Sequence, residues 1–461
     1  MASSTTTIAV PENAHQFEHL IDIPKGEYPL LWSGSFIYKV PVNLRSVNQQ
    51  AYNPQLISIG PLHHGRKQLK PMERQKKIYF NEFHKRLMKQ NNVSSEMVNT
   101  SLNKFKEFIK EKEEKIRHCY SAGTSHFGSE EFVEMIMLDA IFIMEIVLRI
   151  TDKIKCEMDC MLSKPWLRKG IEMDLLLLEN QIPFFILEEL YQLIPRTKNS
   201  NFLDLALQYF SNYDPQKKSS DKTVEIKQIK EVLHFTDLVR CFYLPNMDLN
   251  FDRDTCDVLY SATKLNEAGV VFKHVNDKRL LDITFKKKWV LKWLPFLSCL
   301  PFINCLKAHL ELSPFKVDSG TECVLRNLIA LEQCHYPSSA YICNYFLLMD
   351  QLINTVTDTE LLVQNKVLKN LLGSNKQGTI LVNRLCEQVL VSNYCYVQII
   401  NQLNEHYDQF WNRNMAALNS VYFRDVWRST STVVGLIVVF ATMYNFFRNF
   451  YKDYQNNFKF S

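Results

Sequence analysis

The chain is poor in glycine. It has 12 in 461 residues, where an average share of roughly 7% would supply nearly three times as many. Turn-dense sandwiches and glycine-fingerprint nucleotide folds both need backbone at positive φ or in close approach, so both are disfavoured. No GxGxxG, Walker loop, GxSxG or HExxH string occurs. A concentrated basic face is missing as well. The 54 Lys and Arg stand against 49 Asp and Glu, a balance too mild to imply nucleic acid as a partner. The N-terminal MASSTTTIAVPENAHQ has neither the basic nor the apolar region of a secretory signal. Ala2 excludes myristoylation, and the final FKFS is no prenylation box. The 12 cysteines are scattered among apolar residues. Cys156 and Cys160 would share a helix face, but no second pair completes a metal site. They read as buried, reduced thiols.

What is present is apolar length. A 46% hydrophobic share is enough for a large folded core and too much for a disordered chain. Residues 1–33 are polar and read as a flexible arm. Residues 36–65 hold short apolar runs broken by Pro and Gly, which predicts extended segments and turns. Pro71 suits the first turn of a helix that carries Met72, Ile78, Phe83 and Leu87. Residues 103–117 place Phe105, Phe108, Ile109 and Ile116 on one stripe of a charged helix. Residues 131–150, EFVEMIMLDAIFIMEIVLRI, are apolar almost all round yet carry five charges, so a central buried helix is expected, with Glu145 and Arg149 paired four apart. In 174–194, Asp174 is expected to cap a helix that Pro183 kinks or restarts. Residues 212–230 make the best internal loop. Residues 269–294 change character and look like a small β-meander turning at Asn276-Asp277. Helical periodicity resumes from about 321 to 425.

From Ser429 to Phe447 no charge occurs, and Arg428 and Arg448 bracket the run. A helix over these ~19 residues would be ~28 Å long, matching a hydrocarbon core. A transmembrane helix is therefore expected at 429–447, anchored by Val433, Leu436, Ile437 and Phe440 with Trp427 and Arg448 at its ends. A short polar tail, 448–461, follows. The flanking positive charges tie and do not set the orientation; with no signal peptide and a tail of only 14 residues, insertion after synthesis is the simple reading. That places the large N-terminal part in the cytosol, with membrane lipid as a partner of the helix.

Two polar clusters interrupt apolar helices: Glu179-Asn180-Gln181 after LLLL, and Glu332-Gln333-Cys334-His335 after LIAL. Buried carboxylates without partners are costly, so these groups must be hydrogen-bonded, to each other or to Arg326. One reading is an acid/base site with Glu179, Glu332 and Asp139 as carboxylates and His335 as proton shuttle. The other is a closed network that fixes how helices pack. Nothing in the spacing supplies a nucleophile or an oxyanion hole. His63-His64 in SIGPLHHG are candidate metal ligands, although adjacent histidines point apart on regular backbone. Lys286–Lys288 with Trp289, Lys292 and Trp293 could face anionic lipid or stand on a solvated strand edge.

Several strings together carry a resemblance: IYKVP (37–41), AYNPQLISIGPLHHG (51–65), MERQK (72–76), DLLLLENQIPFFILEEL (174–190), ATKLNEAGVVFK (262–273), LLDITF (280–285), TECVLRNLIALEQCH (321–335) and WNRNMAALNSVYF (411–423). In this order they resemble the plant family called domain of unknown function 247, an uncharacterised membrane-protein family. The resemblance implies a mainly helical domain ending in one membrane helix, with no established activity, cofactor or catalytic residue. Some grass members map to self-incompatibility loci, which implies recognition or signalling. The stretch 286–312 departs from the family pattern. The resulting expectation is a mainly α fold. It comprises one large helical domain (34–426) with a small β-meander and a C-terminal transmembrane helix. The expected function is protein interaction or recognition at a membrane, with an unknown protein partner and no cofactor. The alternative is an enzyme built on the carboxylates around Glu179 and Glu332.

Overall fold

The computed structural model describes residues 34–91, 94–151, 159, 161–194, 201–214, 231–245, 249, 251–252, 257–276, 278–287, 307–409, 414, 434–435 and 437–449. The chain is mainly helical, with two small sheets. Helix Ser129–Thr151 lies at the centre of one half of the core. It is buried on every side from Ala140 to Leu148. Helices Lys70–Asn91, Ser95–Glu111, Phe184–Gln192 and Phe202–Tyr209 pack around it. This is the expected outcome for a helix that is apolar all round, and its two buried carboxylates are paired: Arg149 Nε donates to Glu145 Oε1 and Lys76 Nζ to Asp139 Oδ1, both at 2.6 Å. Local signals set several helix starts. Ser94, Asn201 and Ser374 each accept a backbone N–H from the first turn they cap. Thr355 and Asp358 form a reciprocal capping box. Pro165 opens its helix at the first turn.

Residues 174–194 are not one helix capped by Asp174. That residue ends helix Pro165–Asp174, a set of turns follows, and the chain re-enters a helix at Phe184, after Pro183. The polar side chains of this turn bind a distant segment, which takes them out of capping duty.

The β-meander expected at 269–294 is also corrected. Strand β1 (Val270–His274) and β2 (Thr284–Lys286) do not pair with each other. Strand β3 (Ala308–Leu312) lies between them, parallel to β1 and antiparallel to β2. Period-two alternation marks strands but not their neighbours. The most buried strand of the three, with four of its five residues buried, takes the centre. A second sheet joins β4 (Phe315–Val317) in parallel to β5 (Leu368–Asn370).

The transmembrane helix expected at 429–447 is not supported. Among the described residues no helix is long and apolar enough to cross a membrane. The continuous described helical stretch covers 437–449. It also carries Asn445, Arg448 and Asn449 toward its end. Ile437 and Phe440 lie on it, exposed. Trp427, Val433 and Leu436 lie outside the described residues, as do the arm 1–33, Lys288, Trp289, Lys292, Trp293 and most of the loop 212–230.

One cap gives the fold a pH dependence. His234 precedes helix Phe235–Tyr243 and is fully buried. Its Nδ1 accepts the N–H of Asp237 at 3.3 Å, so the proton sits on Nε2, which donates to Phe36 O at 3.1 Å. Burial pushes this imidazole down to about 4. Above pH ~6.5 the ring is neutral in folded and unfolded chains alike; below it, only the unfolded chain takes up a proton. Stability should therefore fall by about 3 kcal/mol from this residue as pH drops from 6.5 to 4. His406, also pushed down to about 4 by burial, adds in the same direction. Urea midpoints measured from pH 7 to 4 should show the loss, and His234→Gln should flatten part of the slope. An unchanged slope would mean that His234 does not carry it.

Candidate functional site

The segment 51–65 is threaded through the molecule and held by side chains on every side. Asp174 accepts the N–H groups of Gln55, Leu56 and Ile57 at 2.7–2.9 Å. Asn180 accepts from Ile59 N at 2.7 Å and donates to Ile57 O at 3.0 Å. Asp139 accepts from Gly60 N at 2.8 Å. Asn327 bridges Ala51 O and Leu178 N at 2.8 and 2.9 Å. Gln181 closes its own turn by donating to Leu175 O and Leu177 O, both at 2.7 Å. An irregular segment cannot satisfy its own backbone, so buried side chains must supply the partners. The polar interruption in LLLLENQ exists for this purpose. Beneath it, Val40, Leu44, Tyr52, Leu178, Ala330 and Leu331 form a small separate apolar floor.

Glu179 sits at the edge of this scaffold. Its Oε1 accepts from Val40 N at 2.6 Å and from Arg45 Nη2. Its Oε2 lies 3.3 Å from His63 Nε2, without the alignment of a hydrogen bond, so both nitrogens of the buried His63 lack a partner. Burial works against the Glu179 charge, but His63, Arg45 and the Val40 N–H outweigh it and hold the carboxyl below its usual range. Burial, with help from Arg66 and Arg45, keeps His63 low, against the pull of Glu179. The carboxylate is thus charged beside a neutral imidazole.

Above Glu179 opens a cleft of about 420 Å³, lined among others by Lys39, Asn53, Arg66 and His126. Arg45 Nη1 and Arg66 Nη1 both donate to one amide oxygen, Asn53 Oδ1, at 3.4 and 3.2 Å. Two guanidinium groups therefore converge on a neutral acceptor. Three cations of the lining, Lys39, Arg45 and Arg66, face one carboxylate, Glu179.

The other sequence candidates lie in different networks. Asp139 accepts from Lys76 Nζ at 2.6 Å, and that ammonium also reaches Ser58 O at 2.5 Å and Glu73 Oε1 at 2.7 Å. Glu332 accepts from Arg240 Nε and from Cys343 N, both at 2.9 Å. Arg326 does not reach it and donates to Glu322 instead, at 2.8 Å. His335 Nδ1 meets the Tyr38 hydroxyl at 3.0 Å. Glu179, Asp139 and Glu332 thus have three different cations and do not share one acid/base centre. His64 turns from His63 and packs edge-on against Phe127. Among the described residues no group of three His, Cys, Asp or Glu is placed to hold a metal ion.

Sequence reading passed over Arg45, Arg66 and Asn53, which carry no motif. Lys76 did leave a signal. It falls on the stripe of Met72, Tyr79 and Phe83, at a helical position that faces the core.

A helical scaffold, a threaded segment whose backbone is bonded by buried side chains, and a cation-lined cleft beside it define a protein organised around one stitched loop. That loop and the turn that holds it lie within the match to a family. Residues 37–441 match DUF247, a family described as plant protein of unknown function, and the chain belongs to it. It is 27% identical to UPF0481 protein At3g47200 of Arabidopsis thaliana, over 88% of this chain and 84% of that one. It is 21% identical to Putative UPF0481 protein At3g02645 of Arabidopsis thaliana, over 87% of this chain and 88% of that one. No solved structure matches the chain.

Proposed function

We propose that this protein is a recognition component that takes an acidic group of a protein partner into the cleft of Lys39, Arg45 and Arg66. The observation that carries the reading is the convergence of Arg45 and Arg66 on the neutral Asn53 oxygen. An incoming carboxylate could accept from both planar forks at once, the geometry in which arginine binds anions best. The stitched segment keeps the guanidinium groups in place before binding, which lowers the entropic cost of capture. Seven described cysteines are free thiols, which suits a reducing compartment, such as the cytosol, for this part of the chain.

The test uses the full chain and a fluorescein-labelled hexaglutamate peptide in an anisotropy titration. Binding should saturate and weaken as salt rises. Arg66→Glu and the more exposed Lys39→Glu should each weaken it by about tenfold, equivalent to ~1.4 kcal/mol. Wild-type affinity in both variants, with unchanged thermal midpoints, would overturn the reading.

A further inference from the structure

A larger cleft, about 750 Å³ in volume, opens elsewhere and shares no lining residue with the one above. Helix Pro165–Asp174, the turn Ser211–Asp214, strand β4 and the start of helix Thr321–His335 converge on it. Sites for small organic molecules commonly have volumes of about 300–1,000 Å³ and mix apolar walls with a few polar groups. The walls here have that mixture: Met173, Tyr213, Leu280 and Phe315 stand beside four lysines.

The lysines are unequally satisfied. Lys169 binds Glu172 and Lys278 binds Glu311, both at 2.9 Å. Lys316 on β4 and Lys369 on β5 are direct register partners in the parallel pair, and both line the cleft. Neighbouring strands lie about 4.8 Å apart, and like charges set side by side on them repel. Lys316 is compensated by Asp318 at 2.6 Å. Among the described residues no carboxylate lies within ion-pair distance of Lys369. Asp214, the other acid of the lining, has an interaction of its own. The cleft therefore holds a paired and an unpaired ammonium side by side, next to an apolar wall.

We propose that this cleft binds a small amphipathic organic anion, its acidic head against Lys369 and Lys316 and its aromatic or aliphatic body against Met173, Tyr213 and Phe315. The head would supply the charge that the in-register lysines lack, and the body would cover wall that now meets water.

The probe is 8-anilinonaphthalene-1-sulfonate, titrated into the full chain and followed by fluorescence. One saturable site is expected. Lys369→Glu should weaken it by at least about tenfold, Lys369→Arg should keep it within about twofold, and Arg66→Glu should leave it unchanged. The uncharged N-phenyl-1-naphthylamine should bind at least about tenfold more weakly than the sulfonate. Lys369 is exposed, so these variants are expected to keep the fold. Equal affinity in wild type and Lys369→Glu, or equal affinity for the uncharged analogue, would overturn the proposal. A loss caused by Arg66→Glu would overturn it too, by moving the probe to the other cleft.

Discussion

Replacing Lys76 by Met is expected to lower the free energy of unfolding by about 3–5 kcal/mol, the usual cost of breaking a buried ion pair by removing one partner. The Lys76 ammonium is fully buried, like the Asp139 carboxylate it donates to. Burial works against the lysine charge, but Asp139 and Glu73 outweigh it and hold the ammonium protonated well above neutrality. Methionine fills a similar volume without the charge. Asp139 is then left with only the Gly60 N–H, and Ser58 O loses its donor. The damage lies in the stranded carboxylate rather than in lost attraction. Asp139→Asn, added to Lys76→Met, should therefore recover about 2 kcal/mol, because an amide oxygen still accepts from Gly60 and no charge is buried. Urea denaturation of the two single variants and the double variant tests this. A double variant no more stable than Lys76→Met would show that the stranded charge is not the cause.

Gly60→Ala should cost about 4 kcal/mol, for two reasons that add. Gly60 has φ +69°, a left-handed conformation that costs a residue with a Cβ about 1–2 kcal/mol. A Cβ there would also stand 2.4 Å from Gln181 O and 3.0 Å from the Tyr120 hydroxyl. Those two atoms are hydrogen-bonded to each other at 3.0 Å, and the Gly60 N–H is held by Asp139. Neither side can retreat without breaking a buried bond. Gly65 is the control, since it has φ +77° but nothing within 4 Å of its Cβ position. Gly65→Ala should cost only about 1 kcal/mol. Thermal and urea midpoints of the two variants should separate clearly. Equal losses would mean that the segment can move away from Gln181.

The two substitutions probe one design from opposite sides. Residues 51–65 follow an irregular path through the interior, and Asp139, Asp174, Asn180 and Asn327 each bond their backbone from a distant part of the chain. This loop brings Asn53 to the cleft, where it accepts from Arg45 on helix Val42–Val47 and from Arg66 just beyond the loop, without any motif in the sequence to announce them. Lys76 and Gly60 touch no cleft residue in the described hydrogen bonds, yet variants of either should also loosen the cleft. Weaker hexaglutamate binding in Lys76→Met, recovered in the double variant, would follow from that link.

The sequence by itself determined the elements whose causes are local. The all-round apolar run of 131–150 became a central buried helix because no other environment accepts it, and its Glu145 and Arg149 found each other one turn apart. Pro183 restarted a helix because it has no N–H to give. The family strings placed the chain in its family, and the polar ENQ after LLLL announced a buried network. Only the tertiary structure decided which partner each buried charge has, because those pairs join residues far apart in the chain: Arg45 with Glu179 across 134 positions, Arg240 with Glu332 across 92. It likewise placed Ala308–Leu312 between two strands that precede it, a choice made by burial and not by alternation. At the C-terminus, hydropathy along 429–447 suggested a span, and among the described residues no helix is long and apolar enough for one. Periodicity reports what a segment can bury; which surface covers it, and which charge answers which, is settled only when distant segments compete for the same interior.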